Sequence, residues 1–237
     1  MYHDPAGKYA GLSSPVHSLD PRTKIAGALA LVLSVVMLPG ERPWALAAAG
    51  GALAGLAAVS QVPPVFILGR CALVLPFAGL AGIFIPFTHP FPEGLAILGL
   101  LVARAMLAAA AVVILISTTR FSPLLRGLEI LGVPRILVTL VSFTYRFLFV
   151  LVSEARRLET AVRSRAPFRR GRFRALAGAA GVLFIRTYER AERVYQAMLA
   201  RGFDGNAPAA EPLRFAPRDA VAAVTLAAFL AVLWGTA

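Results

Sequence analysis

Apolar residues along this chain fall into long blocks, with polar and charged residues gathered between them. Five blocks stand out, at roughly Ile25–Leu38, Trp44–Val59, Phe66–Pro86, Leu95–Ile116 and Ala220–Trp234. A helix that crosses hydrocarbon needs about 20 apolar residues, within a range of about 17–25. The blocks therefore predict five transmembrane helices, the first and last drawing on flanking residues to reach that length. A sixth block, Ile136–Val152, is interrupted by Ser142, Thr144 and the Tyr145-Arg146 pair. Between Arg120 and Arg218 the pattern changes to amphipathic. Three helical segments are expected there, near Pro123–Leu131, Pro134–Arg165 and Ala175–Arg201. Pro123 and Pro134 suit a first turn, where a missing N–H is harmless. Gly132 and Gly202 suit a left-handed helix end, and Pro167 stops the second segment. The expected fold is an all-α integral membrane protein with an insert between spans four and five. Its three regions are 1–119, 120–205 and 206–237, with the proline- and alanine-rich stretch after Asn206 as a linker.

Composition supports the bilayer as solvent. The chain of 237 residues is 58% hydrophobic and only 15% charged, whereas soluble chains run at about 45–50% apolar and about 25% charged. Apolar blocks recur throughout, and Met1–Lys24 is polar and broken by Pro5, Pro15 and Pro21, so no cleavable leader is expected. The net charge is +12, and Lys8 and Lys24 are the only lysines. Arginine suits two-pronged contact with carboxylates and phosphates. Composition leaves anionic lipid, nucleic acid and an acidic protein groove all open.

Charge also fixes an orientation. Lysine and arginine concentrate in cytoplasmic loops near the spans. The N-terminal segment carries Lys8, Arg22 and Lys24, whereas the loop Thr88–Gly94 carries neither residue type. The N-terminus is thus expected in the cytoplasm and that loop outside. A crossing at Ile136–Val152 would export Arg156–Arg174, which holds eight arginines. That block therefore reads as a buried or interfacial helix of a cytoplasmic insert.

Candidate chemistry is sparse. Cys71 is the sole cysteine, so no internal disulfide forms, and His3, His17 and His89 are widely spaced. No His/Cys/carboxylate grouping suits a transition metal, and His89 reads as a loop residue, with a transient metal contact as the alternative. No Gly-x-x-x-x-Gly-Lys-Ser/Thr loop is present to cradle ATP phosphates. Asp20, in Leu19-Asp20-Pro21, reads as a turn or helix start. Arg70 lies near the start of its span, where it can snorkel to the cytoplasmic surface, while Arg104 lies deep in the fourth. A charge there costs about 2.5–3.5 kcal/mol on insertion scales, so Arg104 should meet either a partner subunit or a polar group between helices. Tyr145 and Arg146 share those two readings. Gly79, Gly82 and Gly99 could permit close helix contact.

The insert has ordered sides. Phe184, Tyr188, Ala191, Tyr195 and Met198 form an apolar stripe, with Arg186, Arg190, Arg193 and Arg201 on another face. Glu159–Arg163 and Glu189–Arg193 are spaced as i,i+4 pairs. Two helices end on an arginine between small residues, as Ser164-Arg165-Ala166 and Ala200-Arg201-Gly202. A cation at a helix C-terminus is favoured by the dipole, and small neighbours let another backbone approach.

Four segments resemble one family. Ser14-Pro15-Val16-His17-Ser18-Leu19-Asp20-Pro21-Arg22-Thr23-Lys24 resembles the N-terminal signature of transmembrane T components of energy-coupling-factor (ECF) transporters. Arg190 through Gly205, reading RAERVYQAMLARGFDG, resembles the second Ala-Arg-Gly helix of that family in its cobalt-type, CbiQ-like wording. Phe143-Thr144-Tyr145-Arg146-Phe147 and Leu131-Gly132-Val133-Pro134-Arg135 fit the same branch. The first Ala-Arg-Gly motif reads Ser164-Arg165-Ala166 here, retaining the arginine and exchanging both small neighbours.

The resemblance implies a coupling subunit without catalysis of its own, in a prokaryotic cell (inner) membrane. It implies CbiO-like ABC-type ATPase subunits as partners, and a CbiM-like substrate-binding membrane subunit with or without a CbiN-like companion. Arg165 and Arg201, flanked by Ser164, Ala166, Ala200 and Gly202, would dock in the ATPases. ATP would be bound by those partners, cobalt would be the cargo, no cofactor or metal would belong to this chain, and nucleic acid would play no part. A general T component serving vitamin-binding subunits shares the docking motifs. A membrane enzyme acting on a phospholipid or polyprenyl phosphate would need clustered carboxylates, and the twelve acids are scattered.

Overall fold

The computed structural model describes residues 14–39, 42–83, 85, 90, 92–165, 169–205 and 216–235. Among these, nine α-helices and no strands are found: α1 Pro21–Met37, α2 Pro43–Ser60, α3 Pro64–Ala72, α4 Leu75–Gly82, α5 Glu93–Thr118, α6 Phe121–Ile130, α7 Arg135–Arg165, α8 Arg169–Leu199 and α9 Pro217–Gly235. His3, Lys8, His89, Ala166 and Pro167 lie outside the described residues. Contacts divide the chain into two units. One holds α1–α6 and α9, and the other runs over 132–211 and holds α7 and α8.

The first unit is built around α5, which packs against α1, α2, α3 and α4. Its core includes Leu31 and Val35 of α1, Ala45, Ala49 and Leu53 of α2, Ile67 and Cys71 of α3, Ala111 and Ile114 of α5, and Leu233 of α9. Outward faces remain apolar: Leu29, Val65, Phe77, Leu80 and Val224 are all exposed. A helix that is hydrophobic all round belongs in lipid or a large core. Gly27 accepts Leu226 of α9 so closely that an added Cβ would lie 2.8 Å from its Cδ2. Gly127 of α6 likewise lets Pro21 and Ile25 of α1 approach. Of the three glycines expected at close contacts, only Gly82 has a neighbour, Leu98, in the space of its absent Cβ.

The expected third span, Phe66–Pro86, is two helices rather than one. Pro76 has no N–H to donate, and its ring conflicts with the carbonyl four residues earlier, at Ala72, where α3 ends. Taken together as Pro64–Gly82, α3 and α4 still have the length and apolarity of one crossing. The other described helices with that character are α2, α5, α7 and α9. The total of five matches the expectation, but its membership differs. Helix α7 qualifies by length and composition, while α1, at 17 residues, stands at the lower limit for a crossing.

The second unit is a helical hairpin of two 31-residue helices. Helix α8 begins at Arg169, about six residues before the expected start, since arginine favours helix and a single glycine, Gly171, weakens one without ending it. Residues lining one groove pair the start of α7, at Ile136 and Leu140, with Met198 in the last turn of α8 and Phe203 just beyond it. The two helices therefore run antiparallel. Neither carries a fully buried side chain among the described residues.

Candidate functional site

The N-terminal signature folds into a buried polar clasp within the first unit. Asp20 caps α1, its Oδ1 accepting the Arg22 backbone N–H at 2.9 Å. This is the helix start the sequence indicates, since a short acidic side chain satisfies the free N–H groups of a first turn. The Asp20 N–H in turn donates to Oδ1 of Asp219, 2.7 Å away and 199 positions later. The other oxygen of Asp219 accepts the Ala216 N–H at 2.8 Å. An acid three residues into a helix that reaches back to the cap N–H is the reciprocal half of a capping box. One carboxylate, only 1% exposed, thus joins the first turns of α1 and α9. Lys24 Nζ adds a third element by donating to the carbonyls of His17 at 3.1 Å and Thr118 at 3.2 Å. Thr118 closes α5, so three helix ends meet on one face of the unit. Asp219 carries no motif in the sequence, and only its position within the first turn of an apolar helix hinted at a role.

Arg104 marks the opposite end of α1. Its Nη1 donates to the Val36 carbonyl at 3.4 Å and its Nη2 to the Leu38 carbonyl. The last carbonyls of a helix lack intrahelical donors, and a guanidinium there also meets the negative end of the dipole. Of the two expected roles for Arg104, this contact is the one between helices. Arg70 lies over the Phe66 ring at 4.9 Å. Tyr145 packs edge-on against Phe149 with ring centroids 5.1 Å apart, and Arg146 is exposed on α7.

The arginine-ended helices close in different ways. At the end of α8, the Phe203 N–H donates to the Met198 carbonyl at 3.0 Å and the Gly202 N–H to the Leu199 carbonyl at 2.9 Å. Gly202 is left-handed at φ +78°. These bonds form a Schellman motif in which Arg201 is the C-cap, Gly202 the C′ residue and Phe203 the C″ residue. Glycine is required because a Cβ disfavours that backbone. Ala200 and Arg201 are exposed. Arg165 is the last residue of α7 and is exposed. Ser164 beside it donates its hydroxyl to the Thr160 carbonyl at 3.0 Å. Among the described residues, neither Arg165 nor Arg201 has a side-chain partner. The two sites are not brought together, since they lie at opposite ends of the antiparallel hairpin.

The remaining insert contacts are polar. Arg163 Nε donates to Glu159 Oε1 at 3.0 Å, and Arg193 lies 3.7 Å from Glu189. Arg186 Nη1 meets Glu154 Oε1 at 2.6 Å across the hairpin. The apolar stripe of α8 divides: Ala191, Tyr195 and Met198 line the groove against α7, while Phe184 and Tyr188 stay exposed. Among the described residues, no group of three His, Cys, Asp or Glu side chains is placed to hold a metal.

Comparison with known proteins bears on these features. The family model described as CbiQ, cobalt transport protein, matches residues 12–211, a span that contains the clasp's N-terminal half and both arginine ends. The cobalt transport protein CbiQ of Rhodobacter capsulatus is 34% identical over 165 residues, covering 66% of each chain. The energy-coupling factor transporter transmembrane protein EcfT of Heliobacterium modesticaldum is 29% identical over 222 residues, covering 84% of each chain. An uncharacterized protein of Methanocaldococcus jannaschii is 25% identical over 219 residues, or 84% of this chain and 74% of that one. Family members work with ATPase and substrate-binding subunits and are membrane components without catalysis, which removes the lipid-phosphate enzyme reading. The chain belongs to the CbiQ cobalt transport protein family and is a multi-pass transmembrane T component of the ECF type.

Proposed function

We propose that the chain couples cytoplasmic CbiO-like ATPases to a CbiM-like substrate-binding membrane subunit in a cobalt importer. Arg165 and Arg201 are its docking residues. The observation that carries this reading is the presentation of Arg201. A Schellman end fixes the last turn of a long helix, and the guanidinium at its cap is exposed and without a partner among the described residues. Arginine in such a position suits a carboxylate or carbonyl groove on another protein. ATP is held by the ATPases, whose closure draws on the two ends, and the helices pass that motion to the membrane part. The cobalt assignment draws on the wording of the Arg190–Gly205 segment and on the name of the Rhodobacter relative.

The clasp and the distribution of arginine support a membrane topology for this reading. Thr118 at the end of α5 and Asp219 at the start of α9 share one face of the first unit with Lys24. A segment that leaves and returns on one face crosses the bilayer an even number of times. Between those points α7 is the one described helix long and apolar enough to cross. In this reading α7 does not cross, since a single crossing there would carry its arginine-rich continuation outside. Arginine concentrates on the cytoplasmic side, so the N-terminal side is the cytoplasm.

Two experiments test this reading. Changing Arg165 and Arg201 together to Glu should weaken co-purification with the ATPases at least tenfold; full recovery of the complex would refute the docking assignment. A cysteine at position 160 should be labelled from the cytoplasmic side alone, and labelling from the outside would overturn the orientation.

A further inference from the structure

The hairpin lacks what normally sets the angle between two packed helices. Side chains buried between helices interlock and fix their crossing, yet α7 and α8 contribute no fully buried residue among those described. A groove of about 570 Å³ remains open between the first half of α7 and the last half of α8. A smaller cavity of about 230 Å³ adjoins Glu154, Arg186 and Arg190. A polar contact across the hairpin is the 2.6 Å bond from Arg186 Nη1 to Glu154 Oε1. Charge-assisted bonds of this length are strongly directional. The other oxygen of Glu154 lies 3.9 Å from Arg157 on its own helix, so the carboxylate is braced along α7 while it reaches α8.

The position of this pair matters more than its strength. Glu154 is one-quarter exposed and Arg186 more than half exposed, and such pairs contribute little to overall stability. Along the helices, Arg165 lies about 16 Å beyond Glu154 and Arg201 about 22 Å beyond Arg186. Because the helices are antiparallel, those two arms point in opposite directions. The covalent connection over 166–168 ties the hairpin at the Arg165 end. Towards the Arg201 end the apolar groove opens. A turn of about 10° at the pair would displace the end of the longer arm, about 22 Å long, by about 4 Å.

We infer that Glu154 and Arg186 are positioning residues that lock α7 and α8 into one strut, so that displacement at one arginine end reaches the other. This rests on the docking role proposed above for Arg165 and Arg201. It predicts that the pair can be broken without loss of assembly but not without loss of coupling.

The test uses the full chain in nanodiscs with Cys71→Ala and spin labels at T160C and Q196C, two exposed positions outside the docking motifs. Electron–electron distance measurements should give one narrow distribution for this parent. Glu154→Gln should at least double its width, and the exchange E154R/R186E should restore it. In the complex reconstituted with ATPases and substrate subunit, Glu154→Gln should keep co-purification within twofold while transport per ATP hydrolysed falls at least fivefold. The exchange should recover both readouts to within twofold. An unchanged width in Glu154→Gln, or a broadening that the exchange fails to restore, overturns the strut. If the parent chain itself does not bind the ATPases, the docking reading fails, and the distance distributions still decide whether the pair locks the hairpin.

Discussion

The two units treat their polar groups in opposite ways. In the membrane unit, Asp20, Lys24, Asp219 and Arg104 are each consumed by helix ends of the same unit, and the polar atoms they satisfy are backbone groups that lipid could not solvate. In the hairpin unit, arginines at both ends and along α8 stay exposed, and its apolar stripe is only partly covered. A spanning unit must satisfy its backbone internally. The hairpin unit presents exposed guanidinium groups at its helix ends, which the proposed docking would pair with another protein. The difference separates residues that hold the fold from residues proposed to serve the assembly, and each class makes its own prediction.

The largest expected effect is in the membrane unit. Asp219→Ala removes the acceptor of two backbone N–H groups, those of Asp20 and Ala216. A buried donor left unmade costs about 1–3 kcal/mol, so the substitution should destabilise by about 2–5 kcal/mol. Asp219→Asn keeps one carbonyl oxygen and should lose roughly half of that. Thermal unfolding in detergent, followed by helical circular dichroism, measures both. An Asp219→Ala protein with the melting temperature of the parent would show that the clasp is incidental, and the contrast between the units would collapse.

How much of this contrast was legible in the sequence depends on the range of each interaction. Asp20 was readable because a cap acts on an N–H two residues away, and Gly202 because a helix end is a local event. The break at Pro76 is equally local but was not anticipated, because Phe66–Pro86 was expected as one span from a run that hydropathy alone renders continuous. Asp219 could not be found in this way. Its bond partner is 199 positions distant, and no periodicity reports which helix ends share a membrane face. Arg104 was flagged by its depth in an apolar run, but the choice of the α1 carbonyls as its acceptors required the packing of α5 on α1. Glu154 and Arg186 were each visible as charged helix residues, while their pairing depended on the antiparallel register of α7 and α8.

The smallest effects sharpen the comparison within the hairpin itself, where the two arginine ends carry different neighbours. At Gly202, φ is +78°, and an alanine forced into left-handed backbone costs about 1 kcal/mol or slightly more. Gly202→Ala should therefore loosen the last turn of α8 and weaken ATPase association by about fivefold. The melting temperature of the membrane unit should stay unchanged, because no buried group is touched. At the other end Ala166 stands where Gly202 would correspond, so Ala166→Gly offers Arg165 the same backbone freedom. Its gain should be smaller, about twofold tighter association, because glycine also adds freedom that binding must remove. Titrated pull-downs of the two single variants against the same ATPase preparation compare them directly. Equal losses at both positions would mean that the ends are recognised through bulk alone. A loss at Gly202 with a gain at Ala166 would mean that the backbone turn after the arginine sets how firmly each end is held.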